Sequence, residues 1–549
     1  MVIIVASCGL NFCIEPINKS EYAHEIFDRA CTLFQENKLE EAIINFKKVQ
    51  HSAPSITQAY YNCGMAYLLL KNPACAIKEF EAAIAHNPAY TKAYVQTGLV
   101  HIQQNNTELA IQFFEKAIEK EPACVRAHIE LARILCDKED LVKAEAHLLQ
   151  ALKNGIPDDI ETSFTMSNLF IIVGNAPESL KILEYLHSKQ PDNASIMHNL
   201  SFVHKTVGNF DRAIDLLKTI IKLYPDRDES HFALGHTLLA MGNFKEGWAQ
   251  HDRFLLKTDR YSKQLKDWIN DGTLEGKHIL LQQEGGLGDT IQWIRCAQHI
   301  KKLGATVTAC ISQSLVPLLS RLPFIDHIIV QGQTLAQIPH VDAHATIMSL
   351  PAILCLPESA MSDTVPYITA DPTLIQYWGT KLAQNNYLKV GLCWQSDTTN
   401  DMRRQPFARR NISFEKLSLL CSIPNINFYN LQINNGSTPK PCKNIIIFDK
   451  DFDHSHGPFM DTTAVLHHMD LVITVDTAIA HLAGAMAIPV WLMLPYQTDW
   501  RWIANRTDSP WYPTMRIFKQ PAPFYWDSVV LAVYKELQAM QNARNPIRK

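Results

Sequence analysis

Two short stretches carry the residue types that chemistry needs, each just after an apolar run. The first is Gly285-Gly286-Leu287-Gly288-Asp289, following KHILLQQE. A run of that length reads as a buried parallel strand, so Asp289 is expected at its carboxyl end, facing a cleft. A carboxylate there can take a proton from a hydroxyl. It can equally cap a helix opening at Thr290, by accepting free backbone N–H groups. The glycines are not a Walker loop, because Lys and Ser/Thr are missing at the required offset.

The second stretch is Asp476-Thr477-Ala478, with His481 about one turn further, after the apolar run 471–475. A helix opening here presents unpaired N–H groups and the positive end of its dipole, which suit a diphosphate, and Thr477 adds a hydroxyl donor. Asp476 would repel phosphate, so capping the helix or accepting a bond from a hydroxyl suits it better. His481 alone also reads as a hydrogen-bonded histidine at a helix–sheet junction. A diphosphate calls for cations, and CWQSDTTNDMRRQPFARRNIS offers Arg403, Arg404, Arg409 and Arg410; an exposed basic loop is the plain alternative. Trp394 and Gln395 close the preceding strand and could line a nucleotide pocket, although the tryptophan fits a core equally well.

Two further clusters read as structural. The aromatics Trp500, Trp502, Trp511 and Tyr512 could wall a base or close a cleft, but core burial is the simpler expectation. DKDFDHSH (449–456) invites a metal reading, yet it lacks the glycine and distant glutamate of a calcium loop, so a solvated loop is expected and no metal site.

The elements that must position these residues alternate. After the 263 region come helix 290–303, strand ATVTACIS, helix 314–321 and strand DHIIVQG, then more divergent sequence to about 373. A second series opens with LKVGLCWQSD and runs through helix 414–422, strands INFYNLQI and NIIIFD, helix 462–469, strand DLVITVD, helix 477–487 and strand PVWLML. Such βαβ series imply right-handed, mostly parallel sheets. Two in tandem would leave a cleft between the carboxyl ends of their strands. A last helix near 525–542 could cross back to tie the lobes together.

Upstream the sequence is periodic. Pro54, Pro88, Pro122, Pro157, Pro191 and Pro225 are separated by 34, 34, 35, 34 and 34 residues, the tetratricopeptide period. Within one unit Tyr60, Gly64, Tyr67, Ala76, Phe80 and Ala83 occupy the marked positions, and Tyr94, Gly98, Ala110, Phe114 and Ala117 repeat them. Small Gly64 and Ala76 let two helices approach, Phe80 fills the layer beneath, and the proline ends the second helix. Counting from about Ala23 to Trp248 gives seven units. The fourth and fifth are degenerate, with Ala132 and Ser167 where glycine is usual. Such an array winds into a superhelix whose concave face holds a protein or peptide partner; a dimerisation arm, giving a homodimer, and a spacer are the alternatives. The sixth positions, Asp28, Asn62, Gln96, Glu130, Thr165, Asn199 and Ala233, do not sustain the asparagine ladder of nucleocytoplasmic O-GlcNAc transferases.

Composition narrows the classes. The 549 residues allow three or four domains. At 19% charged and a net charge of -4 the chain offers no broad basic surface for nucleic acid. Thirteen cysteines without a Cys-x-x-Cys pair read as reduced thiols of a cytoplasmic protein. No run approaches a membrane span, and MVIIVASCGLNFC is too short for one and lacks a basic start, so it reads as a leader.

Three blocks in order, EGGLGDTIQWIR (284–295), VITVDTAIAHLAGAMAIPVWLMLP (472–495) and DWRWIANRTDSPWYPTMRIF (499–518), carry a family likeness. Together with the repeats they resemble bacterial tetratricopeptide proteins whose C-terminal domain is similar to the heptosyltransferase-like enzymes of glycosyltransferase family 9. The resemblance implies an α tetratricopeptide superhelix followed by α/β, two Rossmann-like lobes of GT-B type. The implied layout is a leader (1–20), seven repeats (21–262), an acceptor-side lobe (263–373), a nucleotide-sugar-side lobe (374–525) and a C-terminal helix and tail (526–549). It implies Asp289 as general base beside the Gly285, Gly286, Gly288 loop. It implies a donor site at Asp476, Thr477, Ala478 and His481, and a basic side chain nearest Arg410, where this chain has Arg-Asn-Ile for the family's Arg-Ser-Ile. The implied reaction is transfer of a sugar from a nucleoside-diphosphate-sugar, with inversion and no further cofactor. The alternative is a non-catalytic tetratricopeptide scaffold with a degenerate transferase domain, and a third reading is a peptide-binding adaptor of secretion or envelope assembly.

Overall fold

The computed structural model describes residues 19–251, 253, 260–332, 340–356, 362–396, 409–432 and 444–544. Residues 1–18 of the expected leader, Arg403 and Arg404 lie outside the described residues, and the leader's last two residues open the helix Lys19–Gln35. The chain forms two compact units, Met1–Ile182 and Leu183–Lys549.

Among the described residues the first unit holds helices and no strand, in antiparallel pairs such as Thr57–Leu69 with Pro73–His86 and Thr91–Gln103 with Thr107–Lys120. Its spacing follows from a small residue set against a large one. A Cβ at Gly64 would lie 2.5 Å from Phe80 Cε1, and one at Gly98 2.6 Å from Phe114 Cε1, so only glycine admits the ring of the second helix. In the degenerate fifth repeat, Ser167 replaces that glycine. Its hydroxyl pairs with Ser179 Oγ at 2.7 Å, which satisfies two buried polar groups in place of the usual apolar contact. The side chain six residues after several of the periodic prolines reaches back to the proline carbonyl: Tyr94 to Pro88 at 3.3 Å, His128 to Pro122 at 3.1 Å, Ser163 to Pro157 at 2.7 Å. This bond ties each turn to the helix it opens. Helix starts are capped by Asn72, Asp140 and Asp159, whose side chains accept the N–H of Cys75, Lys143 and Thr162.

The second unit opens with the same pattern: helices Ala194–Thr206, Phe210–Leu223, Asp228–Ala240 and Phe244–His251. His231 again reaches the proline carbonyl, of Pro225, at 3.0 Å. These helices share one core with the α/β elements, since Leu239, Ala240 and Trp248 pack in a cluster with Ile279, Trp293 and Trp500. The end of the 34-residue period and the edge of the compact unit are therefore different places in the chain.

Two parallel sheets follow. Strands β1 (His278–Gln282), β2 (Thr306–Ile311), β3 (His327–Val330) and β4 (Ala343–Thr346) are ordered β3-β2-β1-β4. Strands β5 (Leu388–Cys393), β6 (Ile426–Asn430), β7 (Ile445–Ile446), β8 (Leu471–Val475), β9 (Val490–Leu494) and β10 (Met515–Lys519) are ordered β10-β9-β8-β5-β6-β7. Every pairing is parallel. The second order is the doubly wound one, in which the order of successive strands along the sheet reverses between β5 and β8; the first reverses between β1 and β4. β4 and β10 escape the sequence reading because AHAT is short and barely apolar, while MRIF sits within an aromatic block.

Two expected elements differ. The helix expected over 290–303 is two, Leu287–Trp293 and Ala297–Lys302, joined by a tighter turn at Ile294–Cys296. The last helix, Trp526–Arg544, does not tie the sheets together: Val529, Val530, Val533 and Leu537 bury it in the same core as β5, β6 and β8. DKDFDHSH is the solvated loop expected, with six of its eight residues exposed and Phe452 and Asp453 turned inward. Asp461, buried, accepts from Trp378 Nε1 at 2.7 Å and from the Asp453 N–H at 2.9 Å, while Asp453 accepts the N–H of Thr462 at 3.0 Å.

Candidate functional site

The loops leaving β1 and β8 meet. Leaving β1, Gly285 adopts φ +71°, and a Cβ there would lie 2.7 Å from Asp289 Oδ2. The tight turn brings the Asp289 carboxylate back over its own loop, where Oδ2 accepts the Gly286 N–H at 2.7 Å. Asp289 is thus the third residue of the helix Leu287–Trp293, reaching back to the N-cap Gly286, rather than the residue before a helix opening at Thr290. Its other oxygen, Oδ1, accepts from Arg501 Nη2 at 2.7 Å. The helix from β1 lies against the helix Ala478–Ala485 from β8. At Gly288 a Cβ would fall 2.8 Å from His481 Cδ2 and 3.4 Å from Ala478 Cα, so the close approach depends on that glycine.

At the β8 end, Asp476 is buried with Arg410 Nη1 3.5 Å from its Oδ2. Arg410 is itself set by its Nε–H, which donates to Ser396 Oγ at 2.9 Å, and Ser396 is held by Asn411 Oδ1 at 2.7 Å. A cation therefore stands beside the start of the helix Ala478–Ala485. Thr477 Oγ1 lies 3.1 Å from Thr474 Oγ1. Gln395 is fixed through its backbone, its N–H donating to Gln432 Oε1 at 2.9 Å and its carbonyl accepting Gln432 Nε2 at 3.0 Å. Trp394 goes the other way: its ring is buried in the core of the second sheet, 4.9 Å from Phe414, and lines no cleft.

His481 is sealed rather than open. Its ring stacks on Trp502 at 5.4 Å, is covered by Gly288 on another side, and has Nδ1 3.0 Å from the Tyr512 hydroxyl and Nε2 3.8 Å from Asp476 Oδ1. Burial, reinforced by the charges of Arg501, Arg295 and Arg410, pushes its pKa well below the ordinary histidine value, so the imidazole is neutral.

Several residues that organise this site were not singled out from the sequence. Arg501 is buried; burial opposes its charge, but Asp499, Asp289 and Asp476 outweigh that and hold the guanidinium protonated. Arg295 is fully buried between the rings of Tyr367 and Tyr512, 4.5 and 4.6 Å from their centroids. It donates to the carbonyls of Trp511 (2.8 Å) and Gln292 (2.7 Å) and to the Tyr367 hydroxyl (3.0 Å). The available signal was a lone arginine between tryptophans in WRW and one at the end of QWIR. The aromatic block forms a wedge, not a base-binding wall: Trp500 packs on Trp248 at 5.1 Å and Trp293 at 6.0 Å, and Trp511 on Trp293 at 5.1 Å and Phe244 at 5.3 Å. The wedge joins the last helix pair to both sheets.

Among the described residues no group of three or more His, Cys, Asp or Glu side chains could hold a metal ion, and no helix is long and apolar enough to cross a membrane.

Comparison with known proteins defines the repeats first. Residues 27–91, 72–123 and 101–159 match families described as tetratricopeptide repeat, so the N-terminal part of the chain carries such repeats. Over 326 residues the chain is 25% identical to Protein FlbA of Caulobacter vibrioides, a match covering 54% of this chain and 52% of that one. The chain thus spans about half the length of this curated relative. Similar solved structures include the C-terminal part of a repeat-containing protein from Cytophaga hutchinsonii (13% identity, TM-score 0.34, 43% of this chain and 96% of that one) and Pseudomonas aeruginosa pilF (14%, 0.33, 44% and 99%).

Proposed function

We propose that the second unit is a glycosyltransferase of GT-B type that moves a sugar from a nucleoside-diphosphate-sugar to an acceptor hydroxyl, with the repeats recruiting an acceptor or partner protein. One observation carries the reading: the loops at the reversal points of two parallel sheets are in contact, and they hold a partly exposed carboxylate, Asp289, near a helix start flanked by Arg410. Reversal points are where doubly wound sheets bind nucleotides. Asp289 takes the proton of the acceptor hydroxyl as its oxygen bonds the anomeric carbon; the bond from that carbon to the diphosphate breaks, and the diphosphate leaves with the electron pair. The N–H groups of the helix Ala478–Ala485 and the Arg410 guanidinium receive that charge. Neutral His481, sealed behind Gly288, positions the helix rather than touching donor.

The test is a thermal-shift screen of nucleotide sugars on the full chain, followed by transfer and hydrolysis assays. A binding donor raises the melting temperature by mass action. Asp289→Ala should keep that shift and lose turnover; undiminished turnover overturns the reading.

The second reading, a repeat scaffold with a degenerate transferase region, is favoured by both Asp289 oxygens being engaged, one by Gly286 and one by Arg501. It expects no donor-dependent shift and a partner captured by the repeats.

A further inference from the structure

We propose that Asp289 is set in place by a chain of alternating charges that reaches it from the other sheet: Asp499, Arg501, Asp289. The proposal rests on the transferase reading and names the positioning residues of its site.

Asp289 receives one hydrogen bond from its own loop; the other comes from Arg501, 212 residues away and carried by the segment after β9. The two ends of this pair belong to different sheets. Arg501 has little freedom. Its Nη1 lies 3.1 Å from Asp499 Oδ2, its backbone N–H donates to Asp499 Oδ1 at 3.1 Å, and its carbonyl accepts Trp511 Nε1 at 2.5 Å. Buried Trp500 and Trp502 flank it, and its Nε, also buried, has no hydrogen-bond partner among the described residues. The guanidinium is thus a fixed, largely dry charge, whose pairing with Asp289 is screened far less than a surface pair.

The field of Asp499 also reaches the helix Ala194–Thr206. Burial lowers the pKa of Lys205, and Asp499 is the carboxylate that opposes this. His236, on the next repeat, lies in the same field: burial, His251, Lys205 and Arg501 lower it and Asp499 raises it. Because its orienting contact crosses from one sheet to the other, Asp289 is aimed only while the two sheets hold this arrangement. A hydroxyl entering the site then meets a carboxylate whose remaining lone pairs point in a fixed direction.

The experiment uses the full chain and the nucleotide sugar found to turn over. Arg501→Met should lower kcat by about 100-fold, the scale of one acid–base contribution, with donor KM nearly unchanged. Arg501→Lys should recover part of the loss, and added guanidinium ion should partly rescue Arg501→Ala, which a purely structural role would not allow. Asp499→Asn should lower kcat less than Arg501→Met, again at constant donor KM. In unfolding, Asp289→Asn and Arg501→Met should be non-additive. Wild-type kcat in Arg501→Met, or additive unfolding effects, overturns the chain and leaves the transferase reading standing. No turnover of any nucleotide sugar by the wild-type protein overturns the reading, and the chain with it.

Discussion

The helices of Met1–Ile182 and the sheets of Leu183–Lys549 solve the same packing problem with different materials. In the first unit one contact type recurs: glycine or alanine against phenylalanine, as at Gly64 and Phe80, then Gly98 and Phe114. In the second, helices meet at Gly288, but around that contact stand Arg295, Arg501, Asp476 and His481, all buried. A charge removed from water is stable only with partners on every side, so each of these residues fixes several others. Repetition makes the first unit tolerant of local change. The second is specified by interactions that cannot be exchanged singly.

Acid should separate the units most. In the second, burial first, and then His251, Lys205 and Arg501, lower the His236 pKa to about 3, and His198, His204, His299 and His481 are lowered too; in the first, only His147 is among the histidines clearly lowered. A folded-state pKa below the unfolded value of about 6.5 contributes stability that is present above that pH and lost as pH falls toward the folded value. Hydrogen exchange between pH 7 and pH 4 should show peptides of 183–549 losing protection first. His236→Phe should narrow the gap, and equal loss in both units would break the comparison.

Next in size is Arg295→Met, which leaves the Trp511 and Gln292 carbonyls and the Tyr367 hydroxyl short of a donor. A cost on the order of 3 kcal/mol is expected from such buried groups, measured by urea unfolding. Gly64→Val drives a methyl group into the Phe80 ring and should cost about 1–3 kcal/mol, confined to the first unit. The smallest effect sharpens the comparison from the other side. Ser167→Ala leaves the Ser179 hydroxyl unpaired, at about 1 kcal/mol, whereas Ser167→Gly with Ser179→Ala should be near neutral, because it restores the apolar solution of the other repeats. A double variant as costly as the single would show that the hydroxyl pair is not interchangeable with it.

The same contrast explains what could be read in the sequence. The repeats were legible because their determinants lie within one 34-residue period, and Gly64 with Phe80 is a short-range pair. The strands β1, β2, β5, β6, β8 and β9 were legible as apolar runs, whereas β4 and β10 were not. At the site, the two loops announce themselves because glycines and aspartate are neighbours in sequence. Their partners do not: Arg501 reaches Asp289 from 212 residues away, and Arg295 finds Tyr367 from 72. Such contacts are set by which helix rests on which sheet, information that no local pattern carries. Trp394 shows the converse, a residue adjacent to the site in sequence whose ring points into the core behind the sheet.

The Trp248 wedge has a consequence for how such a chain can lengthen or shorten over time. Repeats upstream of Ile182 that share the glycine–phenylalanine contact, those of Gly64 and Gly98, can be duplicated or lost while the remaining helix pairs keep equivalent neighbours. The pair carrying Gly235 and Trp248 has no such freedom: its tryptophan interlocks with Trp293 and Trp500, and the Ala240 carbonyl accepts the N–H of Ala504 at 2.7 Å. Growth and deletion are thus open at one end of the array and closed at the other. A chimera that exchanges repeats should keep everything from Leu183 onward as one inherited piece.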